Sequence, residues 1–181
     1  MMNQNEAPES RPFIDRLIGL ALEKPVQPPA SAVIPRFSAK VVYAIPAMDE
    51  LRRRFPAYVN PAYDGIVFQP IKVCENVSRE TREVEFEYVD LDRSGGKDES
   101  LAAIDKRGLR PALPEELIAF NEAYPEEMTK FPIAALGSKT EVNSFTSCVA
   151  MMSGVSGRSV LGLGWYEDWW DAGCRFLFVR K

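Results

Sequence analysis

GLRPALPEELIAFNEAYPEEMTKFPIAALGS, residues Gly108–Ser138, holds the clearest helix in the chain and runs straight into an apolar strand. Gly108 follows the segment Glu99–Arg107, in which Leu101 and Ile104 lie three apart. A glycine in that place tolerates the left-handed conformation that stops a helix. Arg110-Pro111 imposes an extended approach, because a proline ring crowds the residue before it. Pro114 suits the first helical position, where its missing N–H has no partner to lose. Glu115 and Glu116 fall in the first turn, against the positive end of the helix dipole. Leu117 and Phe120 stack three apart, with Ile118 and Ala123 following, and Pro125 ends the pattern. Phe131–Leu136, closed by Gly137-Ser138, has the length and composition of a buried strand.

Outward on the N-terminal side, Glu83–Leu91 alternates charge with Val84, Phe86 and Tyr88 and predicts a half-buried strand. Phe37–Ile45 predicts another. Ile66–Cys74 reads as a strand that Pro70 demotes to an edge or a bulge. Between them, Ala47–Phe55 carries Met48, Leu51 and Phe55 at helical spacing, and Tyr58–Gly65 is a turn region. Arg52, Arg53 and Arg54 are adjacent and so point around that helix, which predicts a solvated face. DLDRSGGKDES sets Asp90, Asp92 and Ser94 ahead of Gly95, but the twelfth position is Leu101 where a calcium loop needs glutamate, and a strand precedes it. That segment predicts a loop and no calcium.

On the C-terminal side, Phe145–Met152, Ser159–Tyr166 and Cys174–Val179 are apolar runs separated by Ser153–Arg158 and Glu167–Gly173. Strands with such short links predict an antiparallel sheet, and helices ahead of it an α+β domain. At the other end, Met1–Glu9 has no periodicity and reads as disordered. Ser10 is placed to cap a helix from Pro12 to about Glu23, with Phe13, Leu17 and Leu20 on one face. Lys24–Pro35 is a proline-rich linker. The expected organisation is therefore an N-terminal helical arm and linker, residues 1–35, and one α+β domain, residues 36–181. The polar face of the arm is poor in Lys and Arg, which favours docking on protein, including a second copy in a homo-oligomer, over a membrane surface.

Composition removes whole classes of function. The net charge of −4 argues against nucleic acid as the main partner. No apolar run is long enough to span a bilayer, and the polar start MMNQNEAPES lacks a signal-peptide pattern, so the cytoplasm is the expected compartment. With no histidine, Ser/His and Cys/His triads and histidine metal sites are excluded. The three cysteines, Cys74, Cys148 and Cys174, form no close pair and predict free buried thiols, with no structural zinc and no cofactor.

The one candidate site is Trp165, Tyr166, Glu167, Asp168, Trp169, Trp170 and Asp171, which holds all three tryptophans of the chain. Side chains alternate along a strand, so not all these rings can turn inward. Exposed Trp and Tyr beside carboxylates suit a contact surface, because they offer large rigid area with few torsions and a polar rim. A sugar stacked on Trp169 or Trp170, with Asp168 and Asp171 accepting hydroxyl protons, is one form of such binding. Covering the sheet edge is the plain structural alternative for these rings.

The helix start Arg110-Pro111-Ala112-Leu113-Pro114-Glu115-Glu116-Leu117 and the close Gly173-Cys174-Arg175-Phe176-Leu177-Phe178-Val179-Arg180 resemble the C-type-lectin-like fold. Its bacterial and phage members carry an Arg-Leu-Pro-Thr-x-x-Glu-Leu-like helix start and a last strand similar to Gly-Phe-Arg-x-Val-Arg. The likeness covers roughly the C-terminal half, and it implies a ligand site in the late loops before the last strand, where Trp165–Asp171 stands. Formylglycine-generating enzymes share that fold and use a cysteine pair with copper; here Cys174 stands alone. The whole chain is also similar to uncharacterised bacterial proteins with the signatures RPA-x-x-EEL-x-AF and RFL-x-VRK, which imply no function. The expectation is a non-catalytic module that binds a protein or carbohydrate ligand through Trp165, Tyr166, Asp168, Trp169, Trp170 and Asp171. The alternatives are an enzyme using the loop carboxylates in the manner of a glycoside hydrolase, and an assembly protein using Phe13–Leu22.

Overall fold

Period-two alternation on strand after strand assembles one mixed sheet. The computed structural model describes residues 36–89, 97–142, 146–166 and 173–181. Its strands are β1 (Phe37–Val41), β2 (Tyr58–Val59), β3 (Gln69–Pro70), β4 (Arg82–Val89), β5 (Leu109–Pro111), β6 (Ile133–Val142), β7 (Thr146–Val155), β8 (Arg158–Trp165) and β9 (Arg175–Arg180). They lie in the order β1-β4-β9-β6-β7-β8-β2, with β3 on β6 and β5 on β9. The helices among the described residues are α1 (Met48–Arg54), α2 (Lys97–Asp105) and α3 (Pro114–Ala123). The architecture is α+β and mostly sheet. No described helix is long and apolar enough to cross a membrane.

One face of the sheet carries every second residue into the main core: Ala39 and Val41, Val84 and Phe86, Leu177 and Val179, Ile133 and Ala135, Ala150 and Met152, Leu161 and Leu163. Helix α3 lies across β1, β6 and β7 on that face, with Leu117, Ile118 and Phe120 buried. Phe120 meets Phe37 edge-on at 5.1 Å and Phe86 at 5.6 Å between ring centroids. Each such fully buried ring stabilises the fold by about 1.5–3 kcal/mol. The opposite phase, with Ala134, Val149, Phe176 and Phe178, is buried as well. That explains why β9 shows no alternation: both of its faces are covered.

The three helices predicted after residue 36 and the β4, β7 and β8 strands form close to their expected places, and Gly108 stops α2 with a φ of +73°. Two expectations need correction. The sheet is not antiparallel throughout: β9 runs parallel to β6, and β2 parallel to β8. The register sets Trp165 opposite Cys148, Cys148 opposite Thr140, and Arg175 beside Ile133. Strand β8 thus ends beside the far end of β6, and β9 begins beside its near end. The link between β8 and β9 is a crossover between parallel strands and not a short reversal. Apolar periodicity carries no information on strand direction, which is why the sequence misled here.

The second correction concerns Ile66–Cys74. Only Gln69 and Pro70 pair, with Lys139 and Ser138, and Lys72–Cys74 is a turn of 3-10 helix. The cause lies in β6. Its register on β7 shifts between Ala135 and Thr140, so Leu136–Lys139 stand against Val149 alone. The displaced backbone finds partners elsewhere: Gly137 N–H donates to Ala112 O at 2.8 Å and Gly137 O accepts from Ile71 N–H at 3.0 Å. A Cβ on Gly137 would sit 2.5 Å from Ala112 O, so this crossing of backbones admits only glycine.

Candidate functional site

The bulge in β6 and the loop before β3 enclose a groove of about 560 Å³ at the end of the sheet where β8 stops. Asp64, Ile66, Val67 and Gln69 line one side, and Lys139 and Glu141 the other. The loop is held from beneath. Asn60 Oδ1 accepts from Ala62 N–H at 2.9 Å, Tyr63 is buried, and its hydroxyl donates to Gly162 O at 3.2 Å. Burial drives the Tyr63 hydroxyl pKa strongly upward, so it stays protonated and keeps this bond. Gly65, at φ +72°, makes the turn beside it. Val67 remains 64% exposed at the rim.

Two of the six sequence-predicted site residues, Trp165 and Tyr166, are among the described residues. Trp165 is the last residue of β8 and is 38% exposed. Tyr166 is half-buried, and its N–H donates to Ser147 O at 2.8 Å. The Lys139 ammonium, which lines the groove, lies 5.6 Å from the centroid of the Tyr166 ring. Lys139 therefore joins the groove to the aromatic segment. Asp168, Trp169, Trp170 and Asp171 lie outside the described residues, as do the calcium-like stretch Asp90–Gly96 and the N-terminal arm.

Sequence reasoning missed a second polar centre. Arg110 on β5 is 5% exposed and Glu116 in the first turn of α3 is fully buried. Their side chains pair in two bonds, Nη2 to Oε1 at 2.5 Å and Nη1 to Oε2 at 2.9 Å. Glu116 also accepts from Leu113 N–H at 2.8 Å, capping the helix from its third residue, and from the Tyr43 hydroxyl at 2.5 Å. Burial, then the bond and charge of Glu116, push the Tyr43 hydroxyl pKa up to about 12. The available signal was a glutamate at the third helical position behind an Arg-Pro approach. Nothing local, however, announces Tyr43, which arrives from 73 residues away.

Each Glu116 oxygen accepts two hydrogen bonds within the protein, so the carboxylate anchors α3 to β5. Cys74 sits beside it, its thiol 3.5 Å from Pro111 O. Burial pushes that thiol up to about 11, which disfavours the thiolate a nucleophile needs. All three cysteines are buried free thiols. Arg52, Arg53 and Arg54 pair on the surface with Asp49, Glu50 and Glu122, as a solvated face would. Comparison with protein-family models, with curated proteins and with solved structures finds no match to this chain.

Proposed function

We propose that this protein is a non-catalytic binding module whose contact surface combines the groove beside β6 with the aromatic and acidic segment that starts at Trp165. The observation that carries the reading is Lys139, which lines the groove and stacks its ammonium on Tyr166. A half-open groove with apolar Ile66 and Val67 and convergent Asp64, Gln69 and Glu141 has the composition of a ligand surface. A protein segment or a carbohydrate chain suits it, with a ring face for stacking and carboxylates and an amide for hydroxyl or amide groups. The C-type-lectin-like fold expected from the C-terminal half belongs to this proposal and supports a site in the link before the last strand. So does the N-terminal helical arm, Pro12 to about Glu23, which would contact a second copy.

The test is a titration of a panel of oligosaccharides and unstructured peptides followed by tryptophan fluorescence, with wild type, Trp165→Ala and Lys139→Ala. A saturable signal that weakens at least about tenfold in Trp165→Ala, with the circular dichroism unchanged, supports the proposal. Equal affinities in wild type and variants, or no saturable signal across the panel, refute it.

A further inference from the structure

Where β3 ends, the outer edge of β6 is left open, and two independent bonds fix the way its backbone points. Tyr166 N–H donates to Ser147 O at 2.8 Å, so Ser147 turns its backbone toward β8. Alternation then turns Thr146 and Cys148 of β7 toward β6, where they stand opposite Val142 and Thr140. Glu141, between those two, turns its N–H and C=O away from β7. From the other end of the bulge, Gly137 O accepts from Ile71 N–H at 3.0 Å on the outer edge. Gly137, Lys139 and Glu141 therefore share the outward phase.

Strand β3 covers that edge as far as Lys139, which pairs with Gln69. One pair further on, Val67 would meet Glu141, but no pairing forms there. The groove opens instead, with Val67 and Glu141 both in its lining. Strand β9 meets β6 only at Ile133 and Ala134. Among the described residues nothing covers the outward N–H and C=O of Glu141. We infer that this groove takes an extended peptide, apolar and basic at alternate positions, which adds to β6 as a strand beyond the end of β3. The inference rests on the binding reading above and names its partner.

The lining sets the side chains of that peptide. Thr140 is buried, and Val142 and Ile66 pack against the main core. Lys139 and Glu141 alternate to the opposite face of β6. A strand laid beside them sets every second side chain on an apolar floor and the intervening ones beside Glu141. The charge asks for a cation. Asp64 and Glu141 are two carboxylates against the single cation Lys139 among the described lining residues. No described cation pairs with either carboxylate, and the Lys139 ammonium is drawn to the Tyr166 ring. A lysine or arginine of the peptide supplies the counter-charge, which a neutral carbohydrate does not.

The experiment selects short random peptides displayed on phage against the immobilised full chain, then titrates the selected sequences as synthetic peptides by calorimetry. Enrichment of lysine or arginine alternating with apolar residues is expected. The tightest peptide is then N-methylated one amide at a time. Affinity should fall about tenfold at the amide that bonds Glu141 O and stay within about twofold at the amides on either side, because alternate amides of a strand point away from the edge. Glu141→Pro removes the outward N–H without breaking a bond to β7 and should weaken binding about three- to tenfold; Glu141→Gln keeps that N–H and should weaken it less. No enrichment, or N-methylation that acts equally at every amide, overturns the inference. So does a wild type that self-associates with rising concentration in sedimentation velocity while Glu141→Pro does not, since a second copy would then hold the edge. If no peptide is selected but an oligosaccharide binds and weakens in Trp165→Ala, this inference falls and the binding module stands; if neither class binds, both fall.

Discussion

Glu116→Ala should be among the most destabilising single substitutions in this fold. The carboxylate is fully buried and accepts two bonds from Arg110, one from Leu113 N–H and one from the Tyr43 hydroxyl. Removing it leaves the Arg110 guanidinium 5% exposed, with Pro111 O at 3.2 Å as its remaining acceptor. Breaking a buried ion pair from one side costs about 3–5 kcal/mol. The stranded Leu113 N–H and Tyr43 O–H move the expectation toward the upper end. Small domains have about 5–15 kcal/mol in all, and urea unfolding slopes run about 1–3 kcal/mol/M, so the midpoint should fall by more than about 1 M. The assay is urea denaturation followed by far-ultraviolet circular dichroism for Glu116→Ala, Arg110→Met and the double variant. The double should be more stable than the two losses predict together, by about 2 kcal/mol or more, because each single leaves its partner unpaired. Single losses below about 1 kcal/mol, or additivity within about 0.5 kcal/mol, would refute the anchoring role assigned to this pair.

Three further outcomes are expected. Gly137→Ala sets a Cβ 2.5 Å from Ala112 O between two backbones that cannot retreat; it should cost about 1–3 kcal/mol or more in the same urea assay, and a neutral result would mean the β5–β6 crossing yields easily. Tyr124→Phe removes the hydroxyl that donates to Ser38 O at 2.7 Å and accepts from Ser38 N–H at 3.1 Å; it should cost about 1 kcal/mol and uncover the β1 edge, giving more concentration-dependent association than wild type in sedimentation velocity, whereas a profile identical to that of wild type would show that the edge needs no such cover. Burial holds the Cys74 thiol pKa near 11, up from an ordinary 9.0. The unfolded chain therefore loses that proton first, and the stability present below pH 9 falls as pH rises from 9 through 11. Cys74→Ala should flatten this part of the stability–pH curve, and parallel curves for the two proteins would contradict the assignment.

What the sequence determined by itself is local. Pro114 and the acidic first turn start α3, Gly108 stops α2, and the Val84–Phe86–Tyr88 alternation makes β4, because each of these follows from the conformational limits of neighbouring residues. At the end of β8, Trp165 is 38% exposed, whereas alternation along the sequence says only that not every ring of the run can turn inward. What only the tertiary structure decided is which distant segments meet. The parallel seating of β9 on β6, the bulge that opens the groove around Lys139, and the arrival of Tyr43 at the Arg110–Glu116 pair all join residues far apart in the chain. Hydrophobic burial that drives such meetings is non-directional. It specifies which residues go inside, and leaves strand direction, register and the partners of buried charges to the packing of the whole.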